Sequence, residues 1–285
     1  MDLCNIQDIK ELLGRHGFHF SKSMGQNFLI ERWVPQDIAE AAMLDEGCGV
    51  LEIGPGIGPL TVQLARRAGK VVAVELDRSL LPVLEETLGE LPNVSVLPGD
   101  ILKLDLDEVV SCSFPSLTPV VCANLPYNIT TPVLSALLDC GKFARITVMI
   151  QREVAQRICA EPGSSDYGAF SIYCQYHADC ELLFEVPPSC FLPAPKVTSA
   201  VLRMTPRQQP PVPVQDEAMF FRVVKASFAM RRKTLVNGLA AAFPFSKQQL
   251  TEVLAACGLP ENIRGERLSI AQFAQLSDQI ALLFR

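Results

Sequence analysis

Apolar positions along the chain follow two rhythms. Residues 6–13 and 34–43 carry them at the three-to-four spacing of an amphipathic helix, with a polar, glycine-containing stretch at 21–27 between the two. From residue 50 the rhythm shortens. Residues 50–53, 70–74, 94–97, 120–123 and 146–150 are short apolar runs rich in β-branched side chains, separated in several places by helix-like stretches at 59–67, 79–88 and 131–138. Strands alternating with helices predict an α/β domain built of βαβ units, with a parallel sheet covered on both faces. Glycines in the first strand-to-helix turn make it Rossmann-like, of the doubly wound kind that binds nucleotides.

The pattern changes again at 205–213, where Pro206, Pro210, Pro211 and Pro213 exclude a continuing helix or central strand. The domain boundary is expected there, giving a first domain of 1–205 and a second of 206–285. Beyond it, 217–228, 235–243, 246–257 and 270–283 have helical spacing and predict a small C-terminal helical domain. Ser246 and Ser269 are the expected N-caps, and Gly258 follows the third of these helices.

With 49% hydrophobic and 20% charged residues in 285, the chain can bury a full core and is not a disordered one. No apolar run approaches the roughly 20 residues that span a bilayer. The first ten residues include Asp2 and Asp8 and lack a signal-peptide layout, so a cytoplasmic protein without membrane association is expected. The ten cysteines contain no C-x-x-C pair, and read as small core residues in a reducing compartment rather than as disulfides or zinc ligands; no metal is expected.

The net charge of −6 speaks against a nucleic-acid partner only until it is divided along the chain. Residues 220–285 hold nine Lys/Arg and four Asp/Glu, whereas 1–219 hold sixteen and twenty-seven. An acidic body with a basic C-terminal module suits local contact with phosphates, the plain alternative being charge scatter.

Candidate chemistry begins at Gly54, Gly56 and Gly58, which leave a strand and enter a helix, permitting a tight turn and close approach of a ligand to the backbone. The spacing is G-x-G-x-G, and Pro59 stands where a dinucleotide fingerprint needs its third glycine, which argues against NAD or FAD. Glu75 ends the second strand about twenty residues on, where a carboxylate can accept both hydrogen bonds of a ribose diol. Asp100 follows the third strand and can accept from an adenine amino group. Each also has a simpler reading, Glu75 as a solvated strand-end charge and Asp100 as a cap for the following turn. Together with the glycines they describe an adenosine pocket without a pyrophosphate clamp.

The fourth strand runs into Asn124-Leu125-Pro126-Tyr127. The exocyclic amine of adenine is a poor nucleophile, so a catalyst acting on it must hold it in line and stabilise charge developing on N6. The Asn124 side-chain oxygen and the Leu125 carbonyl can accept its two N–H bonds, Pro126 fixes the backbone, and Tyr127 can stack on a flipped-out base. The simpler reading is a buried turn with a packed tyrosine.

At these residues the sequence resembles the ribosomal RNA adenine dimethyltransferase family, and within it the bacterial branch that acts on 16S ribosomal RNA. The resemblance covers nearly the whole chain. It includes 25–29, 52–58, 75–77, 99–100, 124–129, 151–155, 191–200 and 231–235. It implies a class I S-adenosylmethionine-dependent methyltransferase fold and direct in-line methyl transfer to give N6,N6-dimethyladenosine, with no metal and no covalent intermediate. It further implies that Asn27 and Leu29 contact the methionine part of S-adenosylmethionine, Gly54 and Gly56 form the loop side, Glu75 holds the ribose and Asp100 the adenine. Asn124 would serve both cofactor and target, and Phe191 would supply a second aromatic face opposite Tyr127. Without the family, Phe191 reads as a packed loop residue and Asn27 as a turn residue.

Arg231, Arg232 and Lys233 are read as continuing a helix that begins near Phe220, with Arg222 and Lys225 upstream and Arg152 and Arg157 extending the track. Composition alone makes such a run a solvated face; the resemblance makes it an RNA-binding surface. The expected partner is 16S ribosomal RNA in the small ribosomal subunit, and no feature points beyond a monomer. The competing readings are a macrolide-resistance type enzyme acting on large-subunit (23S) RNA, a catalytically silent RNA-binding assembly factor, and a small-molecule methyltransferase.

Overall fold

The computed structural model describes residues 1–18, 26–230 and 232–284. They form two units, Met1–Ala155 with Cys180–Pro206, and Gln156–Asp179 with Arg207–Arg285.

In the first unit, α1 (Ile6–Arg15) is followed by the short β1 (Phe28–Leu29) and α2 (Trp33–Ala41). The sheet strands and their crossovers then alternate: β2 (Cys48–Ile53), α3 (Pro59–Ala65), β3 (Lys70–Glu75), α4 (Leu81–Leu88), β4 (Val94–Pro98), α5 (Leu106–Ser113), β5 (Thr118–Asn124), α6 (Thr130–Cys140) and β6 (Arg145–Gln151). The chain continues through α7 (Arg152–Ile158) into α8 (Ala169–His177), which belongs to the second unit, and returns to the first with β7 (Ala178–Val186), β8 (Phe191–Leu192) and β9 (Ser199–Pro206). Among the described residues the strands make a seven-stranded sheet in the order β4-β3-β2-β5-β6-β9-β7 and a two-stranded one of β1 and β8.

The strands from β4 to β6 run parallel, and β9 returns antiparallel beside β6. Val50, Leu51, Val71, Val121, Ile146 and Val148 are fully buried, as expected of β-branched and aliphatic runs covered on both faces. The chain winds from β2 outward to β3 and β4, then crosses back to β5 on the other side of β2. Loops leaving β2 and β5 therefore diverge, opening a crevice at the carboxyl ends of those two strands.

The helical unit contains α9 (Glu217–Ala229), α10 (Leu235–Ala242), α11 (Lys247–Ala256) and α12 (Ile270–Leu282) around Phe220, Leu239, Leu254 and Phe273. Ser246 and Ser269 both form capping boxes, with Gln249 and Gln272 respectively, and Gly258 leaves α11 at φ 68°.

The composition of this unit departs from the expected division at 205/206, because residues 156–179 pack with the C-terminal helices. The reason is apolar. Tyr176 stacks on Phe220 at 4.9 Å, Ile172 is fully buried, and the buried Tyr167 donates its hydroxyl to the Leu268 carbonyl at 3.0 Å. No helix among the described residues is long and apolar enough to cross a membrane.

Candidate active site

The strand ends converge on one cavity in the first unit. It is lined by Asn27, Leu29, Gly54, Gly56, Glu75, Asp100, Asn124, Leu125, Pro126, Tyr127 and Phe191, so the residues expected for cofactor and catalysis are gathered in one place.

Between β2 and α3 the chain takes positive φ at Gly54 (69°) and Gly56 (61°), a conformation that costs an L-residue roughly 1–2 kcal/mol. A side chain at Gly56 would also press on Phe28, whose ring atoms lie 3.3 Å from where its Cβ would be. The loop is held by the Gly54 N–H donating to the Val74 carbonyl at 2.9 Å, which joins it to β3. Glycine is therefore needed for backbone shape, and its lack of a side chain leaves the loop amides close to the cavity.

Carboxylates dominate the electrostatics. Glu75 is 6% exposed, and burial pushes its carboxyl up to about 7, against backbone hydrogen bonds that pull it down. Its Oε1 accepts the Asp77 N–H at 2.8 Å. Asp77 accepts from Gln26 Nε2 at 2.7 Å and from the Ser79 N–H and hydroxyl at 2.9 and 2.6 Å. Burial opposes these bonds, yet they hold its pKa below the ordinary value. Asp100 accepts the Leu102 N–H at 3.1 Å and lies 3.4 Å from Lys103 Nζ, so the turn-capping reading is realised in the structure alongside its place on the cavity wall.

Glu52 escaped sequence reasoning as a site residue. It lines the cavity from within β2, is 1% exposed, and its Oε2 has no hydrogen-bond partner among the described residues. Burial pushes its carboxyl up to about 8, and the charge of Glu75 adds to the rise. The signal that could have found it is a lone acid inside the apolar run Val50-Leu51-Glu52-Ile53.

On the opposite wall, β5 ends at Asn124, half-buried, and Leu125 is pinned by donating its N–H to the Met149 carbonyl at 3.0 Å. The Pro126 carbonyl accepts from the Ile129 N–H and the Thr130 hydroxyl, both at 3.2 Å, closing the turn that carries Tyr127. The Tyr127 hydroxyl sits 2.7 Å from Ser199 Oγ, and burial raises its pKa, so it remains a neutral phenol at physiological pH. Phe191, 3% exposed, reaches the cavity from β8, where it pairs with Leu29.

Glu52, Glu75, Asp77 and Asp100 line this cavity, and no Lys, Arg or His does so among the described residues. Such a wall offers acceptors to a cofactor that carries a sulfonium and an ammonium, and no cationic side chain to pair with a pyrophosphate.

A family model described as "Ribosomal RNA adenine dimethylase" matches residues 17–282. The chain belongs to that family. Among full-length relatives of this dimethylase, the "Ribosomal RNA small subunit methyltransferase A" of Geobacillus thermodenitrificans is 48% identical over 289 residues, covering 100% of this chain and 99% of the relative. The protein of the same name from Shouchella clausii is 50% identical over 283 residues, covering 98% and 96%. Among solved structures, a dimethyladenosine transferase from Plasmodium falciparum has a TM-score of 0.74 at 25% identity, over 87% of this chain and 95% of that one. The 23S rRNA methyltransferase ErmE has a TM-score of 0.67 at 26% identity, over 90% and 100%. The dimethylase is an S-adenosylmethionine-dependent rRNA methyltransferase with the class I α/β fold.

In this dimethylase the basic residues are arranged differently from the sequence expectation. Arg231 lies outside the described residues. Arg232 and Lys233 are exposed but are not helical: α9 stops at Ala229, Met230 leaves the helical region at φ −123°, and the Lys233 N–H donates to the Met230 carbonyl at 2.8 Å, tightening the turn into α10. Arg222 is engaged within the unit, its guanidinium 4.4 Å from the centre of the Phe243 ring and donating to the Ala242 carbonyl at 3.1 Å. Lys225 is exposed on α9. Arg157 is exposed on α7, while Arg152 is half-buried and paired with Glu185 at 3.1 Å.

Proposed function

We propose that the protein transfers methyl groups from S-adenosylmethionine to N6 of adenines in 16S ribosomal RNA of the small ribosomal subunit, giving N6,N6-dimethyladenosine, and that it acts as a monomer. The observation that carries this reading is the meeting of Asn124 and Tyr127 with the Gly54 loop and Glu75 around one cavity. The relatives named for the small subunit are 48–50% identical over the full chain, against 26% for ErmE, which favours the small subunit as substrate.

Asn27, Leu29, Gly54 and Gly56 hold the methionine end of the cofactor, Glu75 accepts from the ribose hydroxyls, and Asp100 accepts from the adenine amine. When bound, the cofactor supplies an electrophilic methyl group. Extracting the target adenine from its stack costs a few kcal/mol. Stacking on an aromatic face returns about 1–3 kcal/mol per base, so Tyr127 and Phe191 together offset that cost. The Asn124 side-chain oxygen and the Leu125 carbonyl then accept the two N6–H bonds, orienting the nitrogen and stabilising its positive charge as the new bond forms. The proton is lost after transfer, which removes the need for a strong base; Tyr127, held neutral by burial, stacks rather than titrates. Lys225, Arg232 and Lys233, exposed on the helical unit, contact RNA phosphates together with Arg222, which also braces α9 against Phe243; Arg231, outside the described residues, is assigned the same role from the sequence alone.

The test is to incubate the protein and labelled cofactor separately with unmodified small and large ribosomal subunits and to map the labelled adenines. Label in N6,N6-dimethyladenosine of 16S RNA alone is expected. Label in 23S RNA, or none, overturns the proposal.

A further inference from the structure

Ser199 is 0% exposed at the start of β9, and its Oγ lies 2.7 Å from the Tyr127 hydroxyl. Its backbone is fixed from two sides, by register with Gln151 of β6 and by the neighbouring Thr198 carbonyl, which accepts the Arg152 N–H at 3.0 Å. Tyr127, in contrast, stands in a short turn after β5, where its ring orientation depends on two side-chain torsions. A hydrogen bond at the far end of the phenol constrains both. Phe191 lies at the other end of the same segment, 191–199, paired through β8 with Leu29.

We propose that Ser199 is a positioning residue for the target base: acting through the Tyr127 hydroxyl, it holds that ring in place so that Tyr127 and Phe191 present a gap of fixed width to an unstacked adenine. The segment 191–199 thereby sets both aromatic walls, one directly and one through a hydrogen bond. This rests on the base-methylating function proposed above. A phenylalanine at 127 would keep the stacking face and lose only the anchor, so Ser199 and the Tyr127 hydroxyl should behave as one unit.

The experiment is a double-mutant cycle of Ser199→Ala and Tyr127→Phe, read by KM and kcat on small subunits, by cofactor affinity, and by the fluorescence quench of 2-aminopurine placed at the mapped target position. Each single change should raise KM about five- to tenfold, as expected from a hydrogen bond worth about 1–1.5 kcal/mol, and weaken the quench. Cofactor affinity should stay at the wild-type value, and the double variant should be no worse than either single. Additive losses, a wild-type KM for folded Ser199→Ala, or a Ser199→Ala chain that fails to fold would each overturn the assignment, the last because the hydroxyl would then serve the fold. Failure of the broader reading looks different: the wild-type protein itself would label no 16S adenine.

Discussion

Leu29 and Phe191 face each other across the antiparallel pair of β1 and β8, and both line the same cavity. The segment assigned to the methionine end of the cofactor is thus hydrogen-bonded to the segment that carries an aromatic wall for the target base. The Ile30 N–H extends this ladder by donating to the Cys190 carbonyl at 2.9 Å. Phe191→Leu keeps the ladder and most of the buried volume but removes the aromatic face. Its stability cost should stay below about 1.5 kcal/mol. KM for the small subunit should rise about tenfold, matching the loss of about 1–3 kcal/mol of base stacking. Steady-state kinetics with a melting curve separate the two effects, and an unchanged KM removes Phe191 from the base site.

Asn124→Ala deletes one acceptor for N6 at a half-buried position and leaves Glu75 and Asp100, the carboxyls assigned to the cofactor, in place. Transfer should fall by at least about 100-fold, by analogy with the loss of a single preorganised charge-stabilising group, while the melting temperature moves little. Single-turnover kinetics provide the measurement. A rate within threefold of wild type would leave Asn124 without its role.

Glu52 and Glu75 are raised from 4.5 to about 8 and about 7, burial being the main cause in both. The folded chain therefore binds more protons than the unfolded chain between about pH 4.5 and 8, and stability must fall as pH rises through that window. The cofactor-free melting temperature should decline from pH 5 to pH 8, and Glu52→Gln, neutral throughout, should flatten the decline. A ribose diol donates to an ionised carboxylate, so cofactor binding should release protons near pH 7. Calorimetry in buffers of different ionisation enthalpy reads that release; a pH-independent melting temperature would contradict the buried-carboxyl picture.

Arg232 and Lys233 are exposed in the α9–α10 turn, whereas Arg222 packs on Phe243. Reversing Arg232 and Lys233 to Glu should weaken RNA binding and reduce its salt slope by about 1 to 2 units, with cofactor affinity unchanged. Arg222→Ala should instead lower the melting temperature as well, through lost packing on the ring. Salt titrations of RNA affinity, set beside thermal melts, distinguish the two kinds of residue.

The parallel core was legible because Val50, Val71, Val120 and Ile146 belong to apolar runs of strand length, a pattern that two-sided burial produces. Strand β7 was not, since it carries Glu181 and Glu185 at the sheet edge, and charged residues blur its periodicity. Residues 156–179 escaped assignment to the helical unit because Tyr167 and Tyr176 reveal their partners only in three dimensions. The end of α9 carries no stop signal: Met230, Arg231 and Arg232 all favour helix by propensity, yet Met230 already leaves the helical region at φ −123°. The cavity residues were readable because each ends a strand or stands in a distinctive short motif. Ser199 was not, because a serine in an apolar strand does not announce which side chain it meets.

The crossing back from β4 to β5 also bears on how the protein comes into being. The cavity draws walls from the stretch near Leu29, from the ends of β2 and β3, and from Phe191, so its sides are synthesised far apart in time. A chain still emerging from translation possesses the glycine turn and Glu75 long before Phe191 exists to complete the enclosure. Of these walls Phe191 is thus the last to be made, and the strand that carries it, β8, pairs with β1, the first strand of the chain.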